Sequence, residues 1–144
     1  MKPNYERILC LVDADDHSRA ALALAKIFAR ERKGTIFLVN AHSIYESPFD
    51  PEVARSKAGW SIAEGEATTR KRIEKVAQDQ IGSEFPWEVI VHNGVDDILN
   101  SVRRHEVDLV ILHKRPDSGV REWLVGNTAY QVARRAPCDV LLLA

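Results

Sequence analysis

The sequence predicts an α/β protein: a five-stranded, open parallel sheet with helices on both faces. Three observations lead there. Short apolar runs alternate with helix-period segments almost from end to end, in the order βαβαβαβαβ, and such alternation calls for crossover connections between parallel strands. The first run, RILCLV, is apolar at successive positions, as befits a strand covered on both faces. The 144 residues are 45% hydrophobic and 28% charged, enough for one domain to bury its own core. With no internal repeat, low-complexity tract or linker-like shift, residues 1–144 are expected to form a single domain.

Each element has a local reason. Arg7 to Val12 reads as the first strand, and Asp13, Asp15, Asp16 and Ser18 offer N-caps for a helix from about Ser18 to Arg32. Ala21, Leu24, Ala25 and Phe28 recur there at helical spacing, and Gly34 is the expected stop. The second strand runs from Thr35 to Ala41. A loop from His42 to Asp50 follows, and Pro51 suits the first turn of a long helix reaching Gln80, with Gly59 and Gly65 as weak points. Trp60 and the TTRKRIEK stretch belong to this amphipathic helix. Trp87 to His92 is the third strand, in which Trp87 is read as a packing residue. Gly94 turns the chain into a helix carrying Ile98, Leu99 and Val102. The fourth strand, Asp108 to Leu112, leads through a polar loop to a helix from about Gly126 to Arg135 and a last strand, Asp139 to Ala144.

Composition narrows the function. A formal net charge of −1 gives no reason to expect nucleic acid or an anionic membrane as partner. The 7% aromatic residues are not interleaved with basic ones, as a base-stacking surface would need. No apolar run approaches the ~20 residues of a membrane span, and the N-terminus lacks a signal-peptide pattern. Cys10 and Cys138 have no metal or redox spacing and read as buried free thiols, which points to a reducing, cytoplasmic setting. There is no Gly-x-Ser-x-Gly elbow, Walker lysine loop or GxGxxG fingerprint, and no nucleophile–base pair with a supporting third residue. A catalytic role is not expected.

In an open α/β sheet, ligands bind beyond the carboxyl ends of the strands, where the strand order reverses. Those ends carry Asp13, Ala41-His42, His92-Asn93 and His113-Lys114-Arg115. Asp15 and Asp16 are expected to cap the first helix rather than to bind Mg²⁺. His42, His92 and His113 lack the local spacing of a metal motif, so hydrogen-bonded or solvent-facing imidazoles are expected and no metal is assigned. Lys114, Arg115, Arg121, Arg134 and Arg135 are read as solvated charge, the last two favoured near a helix C-terminus.

The stretch VDLVILHKRPDSGVREWLVGNTAYQVARRAPCDVLLLA, from Val107 to Ala144, resembles the C-terminal half of the universal stress protein family. Asp13, Ala41, Gly94 and the closing APCDVLLL extend the resemblance over nearly the whole chain. It implies a Rossmann-like sheet of order 3-2-1-4-5, which makes the first and fourth strands neighbours and sets Asp13 opposite His113. Many members bind ATP through Gly-x-x-Gly, a nine-residue spacer, then Gly with Ser or Thr. The matching positions are His113, Pro116, Gly126 and Asn127, so one of the four is kept. The resemblance implies that Asp13 lies near an adenosine moiety and that the backbone of Ala41 contacts adenine. Gly126 at a helix start is compatible with an anion. His113 puts a ring where glycine permits close approach, and Pro116 removes an amide donor. Asn127 can donate to phosphate, and Lys114 and Arg115 add charge. The nucleotide-binding set is therefore Asp13, Ala41, His113, Lys114, Arg115, Gly126 and Asn127.

The last strand is expected at a sheet edge, and an uncovered apolar edge invites a second copy. Dimerisation through the last strand is also what the resemblance implies, with Val140, Leu141, Leu142 and Leu143 at the interface. Two readings follow. The first is a non-catalytic homodimer in stress response or regulation, with weak or lost nucleotide binding, no cofactor and an unidentified protein partner. The second is an ATP-binding switch or slow ATPase that holds ATP with Mg²⁺ through a remodelled phosphate loop. Asp13 and Asn127 would hold the nucleotide there, and Lys114 or Arg115 would replace the lost amides.

Overall fold

A computed structural model of the chain describes residues 5–12, 17–40, 62–92, 94–113 and 127–143. Its strands are β1 (Arg7–Val12), β2 (Thr35–Asn40), β3 (Trp87–Ile90), β4 (Leu109–His113) and β5 (Asp139–Leu143). Its helices among the described residues are α1 (His17–Ala29), α2 (Ile62–Gln80), α3 (Val95–Arg104) and α4 (Asn127–Arg135). The strands form one sheet in the order β3-β2-β1-β4-β5, parallel throughout. This is the expected order.

Successive strand residues point to opposite faces, so each central strand serves two cores. Ile8, Cys10 and Val12 of β1 join Ile36, Leu38 and Ile111 beneath Ala21, Leu22 and Ala25 of α1 and Ile73 and Ala77 of α2. Leu9 and Leu11 join Phe37, Val39, Val110 and Leu112 beneath Ile98 and Val102 of α3 and Val132 of α4. Apolar residues at successive positions of RILCLV are explained by this double coverage.

The amino-terminal edge of the sheet is tied by polar side chains. The Asp108 carboxylate accepts the N–H groups of Glu6 at 2.9 Å and Arg7 at 3.1 Å, and the Asp108 N–H donates to the Arg7 carbonyl at 2.9 Å. Arg7 Nε donates to the carbonyl of His105, and its guanidinium carbon lies 5.3 Å from the centre of the Phe37 ring, a cation–π contact. The Tyr5 hydroxyl donates to Asp139 at 2.8 Å, tying the segment before β1 to the start of β5.

Several boundaries differ from expectation. Asp108 is not the first residue of the fourth strand; its side chain is engaged with β1, and β4 runs one residue further, to His113. The first helix ends at Ala29 rather than Arg32, and Lys33, not Gly34, takes the left-handed turn at φ 51°. The Gly34 N–H then closes the helix on the Ala29 carbonyl at 2.9 Å. Gly34 is required for a different reason. A Cβ there would lie 2.6 Å from the Glu6 carbonyl oxygen, the atom that accepts the Thr35 N–H at 2.8 Å. The end of α3 repeats the pattern, with Glu106 at φ 52° and Val107 N–H on the Val102 carbonyl at 3.0 Å. Trp87 is a packing residue as expected: it lies against the core and donates its indole N–H to the Gly82 carbonyl at 2.9 Å. The third strand stops at Ile90 rather than His92. The proposed start of the long helix at Pro51, and Trp60 with it, lies outside the described residues.

Candidate functional site

The order 3-2-1-4-5 reverses at β1, whose neighbours are β2 and β4. The crevice expected of such a sheet therefore opens at the carboxyl ends of β1 and β4. Cys10 pairs with Ile111 in that register, two residues short of Val12 and His113, where the strands end. His113 stands on this rim, half-buried, its main chain paired with Leu143 of β5. Asn127 is the first residue of α4. Asp13, Ala41, His42, Lys114, Arg115, Pro116, Arg121 and Gly126 lie outside the described residues.

The best-defined polar group on this side is one that sequence reading underrated. His92 is fully buried and Asn40, the last residue of β2, is 5% exposed. The Asn40 side-chain amide pairs with the main chain of His92, accepting its N–H at 2.9 Å and donating to its carbonyl at 3.2 Å. A side chain thus continues the β2–β3 ladder beyond Ile90, where the strand itself stops. The imidazole completes the arrangement. Nδ1 accepts the Gly94 N–H at 2.9 Å, and Nε2 lies 2.5 Å from the Asn40 carbonyl oxygen. An amide N–H at Nδ1 requires a bare nitrogen there, so the proton sits on Nε2 and is donated to Asn40. The expectation of a hydrogen-bonded histidine holds for His92, and both of its ring nitrogens are engaged within the protein. Asn40 was missed. The only sign of it in the sequence is a polar residue closing an otherwise apolar strand, TIFLVN.

Charge on the neighbouring helices is arranged along their dipoles. Asp96 and Asp97 lie in the first turn of α3, and Arg134 and Arg135 in the last turn of α4. Arg135 donates to the Asp96 carboxylate at 3.0 Å, and both are largely solvated. The Arg134-Arg135 pair is therefore surface charge at a helix C-terminus, as read from the sequence.

The thiols are chemically quiet. Burial pushes Cys10 up to about 12. Cys138, half-buried, is raised to about 11 by burial and then by the carboxylates of Asp139 and Asp108. Neither is a thiolate near neutral pH, so neither is suited to nucleophilic attack there. Among the described residues, no group of three or more His, Cys, Asp or Glu is placed to hold a metal ion. No helix among them is long and apolar enough to cross a membrane.

Comparison with known proteins gives a consistent answer. The universal stress protein family model matches residues 4–144. The universal stress protein YxiE of Bacillus subtilis is 24% identical over 96% of this chain and 99% of its own length. The universal stress protein UspA from Lactobacillus plantarum superposes with a TM-score of 0.67 at 23% identity, covering 99% of this chain and 100% of that one. The universal stress protein of Archaeoglobus fulgidus in complex with dAMP has a TM-score of 0.57 at 18% identity, covering 99% and 100%. These structures share the fold described above, and the family match spans nearly every residue. The chain belongs to the universal stress protein family.

Proposed function

We propose that this chain is a non-catalytic, dimeric universal stress protein that acts in stress response or regulation through protein contacts, with nucleotide binding weak or lost. The observation that carries the reading is the edge strand. β5 is bonded to β4 on one side and stands last in the sheet, with Leu142 42% exposed and Val140, Leu141 and Leu143 half-buried. Antiparallel pairing with a second copy across a two-fold axis would occupy the hydrogen-bonding edge that no described strand fills and cover Leu142. The remaining surface and the crevice would serve an unidentified protein partner rather than nucleic acid or membrane. Two free thiols kept protonated suit a cytoplasmic setting.

Nucleotide binding is weak or lost in this reading because His113 and Pro116 stand where the family's loop has glycines. A phosphate cradle built from backbone amides loses a donor at Pro116 and meets a ring at His113. The second reading, an ATP-binding switch or slow ATPase, is favoured by one observation: a relative of the same fold carries dAMP. In it, Asp13 and Asn127 hold Mg-ATP, Lys114 or Arg115 replaces the lost amides, and Ala41 and Gly126 line the site. Calorimetric titration of nucleotide-free protein with Mg-ATP separates the two. No heat at millimolar ATP, with binding created by H113G/P116G, supports the interaction protein. Micromolar affinity abolished by Asp13→Ala or Asn127→Ala makes the switch the better reading.

A further inference from the structure

The Asn40–His92–Gly94 group joins three elements at the carboxyl edge of the sheet: the end of β2, the residue beyond β3 and the start of α3. Its two halves answer differently to a proton. The Asn40 amide does not titrate, and its two bonds to the His92 main chain are independent of the ring. The Gly94 bond depends on a bare Nδ1. A proton added at Nδ1 sets two donors against each other across 2.9 Å, and that contact must open. The bond from Nε2 to the Asn40 carbonyl survives and is strengthened by the charge.

Gly94 is well placed to transmit the change. Its carbonyl accepts the Ile98 N–H at 3.2 Å, closing the first turn of α3. Its backbone, at φ 158° and ψ 179°, occupies a region essentially confined to glycine. The same turn carries Asp96, which holds Arg135 of α4, the helix that leads into β5.

We propose that His92 is a proton-sensitive latch: its neutral ring holds the start of α3 against the end of β2, and protonation releases α3 while leaving β2 joined to the His92 main chain. The inference rests on hydrogen-bond geometry and is independent of whether the crevice takes a nucleotide. Charged and titratable groups on the surrounding elements are Glu88 of β3, Arg70 of α2 on the Val89 carbonyl at 3.0 Å, Asp96 and Asp97 of α3, Arg135 of α4 and His113 of β4. Asp13, Asp15, Asp16 and His42 fall outside the described residues.

The test is an NMR titration of the full chain labelled with ¹⁵N in its histidine rings and main-chain amides. At neutral pH, His92 is expected as the Nε2–H tautomer. On acidification the ring takes up a second proton, at Nδ1. The Gly94 amide should shift with the same midpoint, and its protection factor, the exchange rate corrected for the slower intrinsic exchange at low pH, should fall at least tenfold, while the Asn40 side-chain amide stays in place. An Nδ1–H tautomer at neutral pH overturns the proposal. So does protonation without a change at Gly94, or unfolding of the whole chain before His92 titrates. The variant His92→Asn keeps an acceptor near the Nδ1 position but cannot titrate, so the Gly94 step should vanish. A Gly94 step that persists in this variant overturns the proposal too, and the wild-type titration decides alone if the variant does not fold.

Discussion

Replacing Asn40 with leucine removes a buried amide while keeping the number and branching of its side-chain heavy atoms, so the loss of hydrogen bonding is read with no cavity left behind. Asn40 is 5% exposed and His92 fully buried, so the two main-chain groups that lose the amide have no ready access to water. Each buried group left without a partner costs about 1–3 kcal/mol, or about 2–6 kcal/mol for the His92 N–H and carbonyl together. Leucine returns about 1–2 kcal/mol through apolar burial. Taking the middle of both ranges, the net destabilisation is about 2–3 kcal/mol, a large share of the about 5–15 kcal/mol that holds a domain folded. Urea unfolding followed by circular dichroism measures it. With a slope of about 2 kcal/mol per molar urea, the midpoint should fall by about 1–1.5 M at unchanged slope. A midpoint that does not move would mean that the Asn40 amide makes no net contribution, and the assignment of a continued β2–β3 ladder would fail.

Three further outcomes follow from other parts of the molecule. Lys33→Gly and Glu106→Gly, at φ 51° and 52°, should each raise stability by about 0.5–1 kcal/mol, because only glycine takes the left-handed turn without strain; equal or lower urea midpoints would contradict this. Gly34→Ala should lose about 1–3 kcal/mol, since its Cβ would meet main-chain atoms of Glu6 from 2.6 Å, and an unchanged melting temperature would refute the close approach. The folded Cys10 thiol keeps its proton to about 12, whereas an unfolded thiol loses it near ~8.5. Between those values the folded state binds more protons, so this contribution is intact below the lower one and is lost as pH rises, by about 1.4 kcal/mol per pH unit. Cys10→Ala should flatten the alkaline stability profile by that slope, and identical profiles would show that the thiol is not buried in solution.

The fold was legible because the double-sided burial of the central strands leaves a local trace. Ile8 and Leu9 face opposite cores, and an apolar residue at both positions is visible without knowing what covers either face. Long-range polar partners leave no such trace. His92 and Asn40 lie 52 residues apart in sequence, and neither residue type at a strand end reveals that it is turned inward to meet the other. Asp108 looked like a strand residue for the same reason, since its carboxylate serves Glu6 and Arg7 from 102 and 101 residues away. The helix stop at Gly34 was a right position with the wrong cause: the glycine answers to the carbonyl of Glu6, the residue before β1, and the turn falls to Lys33. Of the expected nucleotide set, His113 is found on the rim and Asn127 opens α4. The rim position of His113 follows from strand order alone, whereas the contacts that would make a binding site depend on loops whose shape no periodicity encodes.

The β5 edge is the working surface in this account, and the mass of the protein in solution tests it most directly. Light scattering on size-exclusion fractions at micromolar concentration should give twice the 16.2 kDa chain mass for the native protein. Leu142→Lys, which places a charge on a residue already 42% exposed, should give the single-chain mass with an unchanged circular dichroism spectrum. A native protein that is monomeric, or a dimer that Leu142→Lys leaves intact, would contradict assembly through β5.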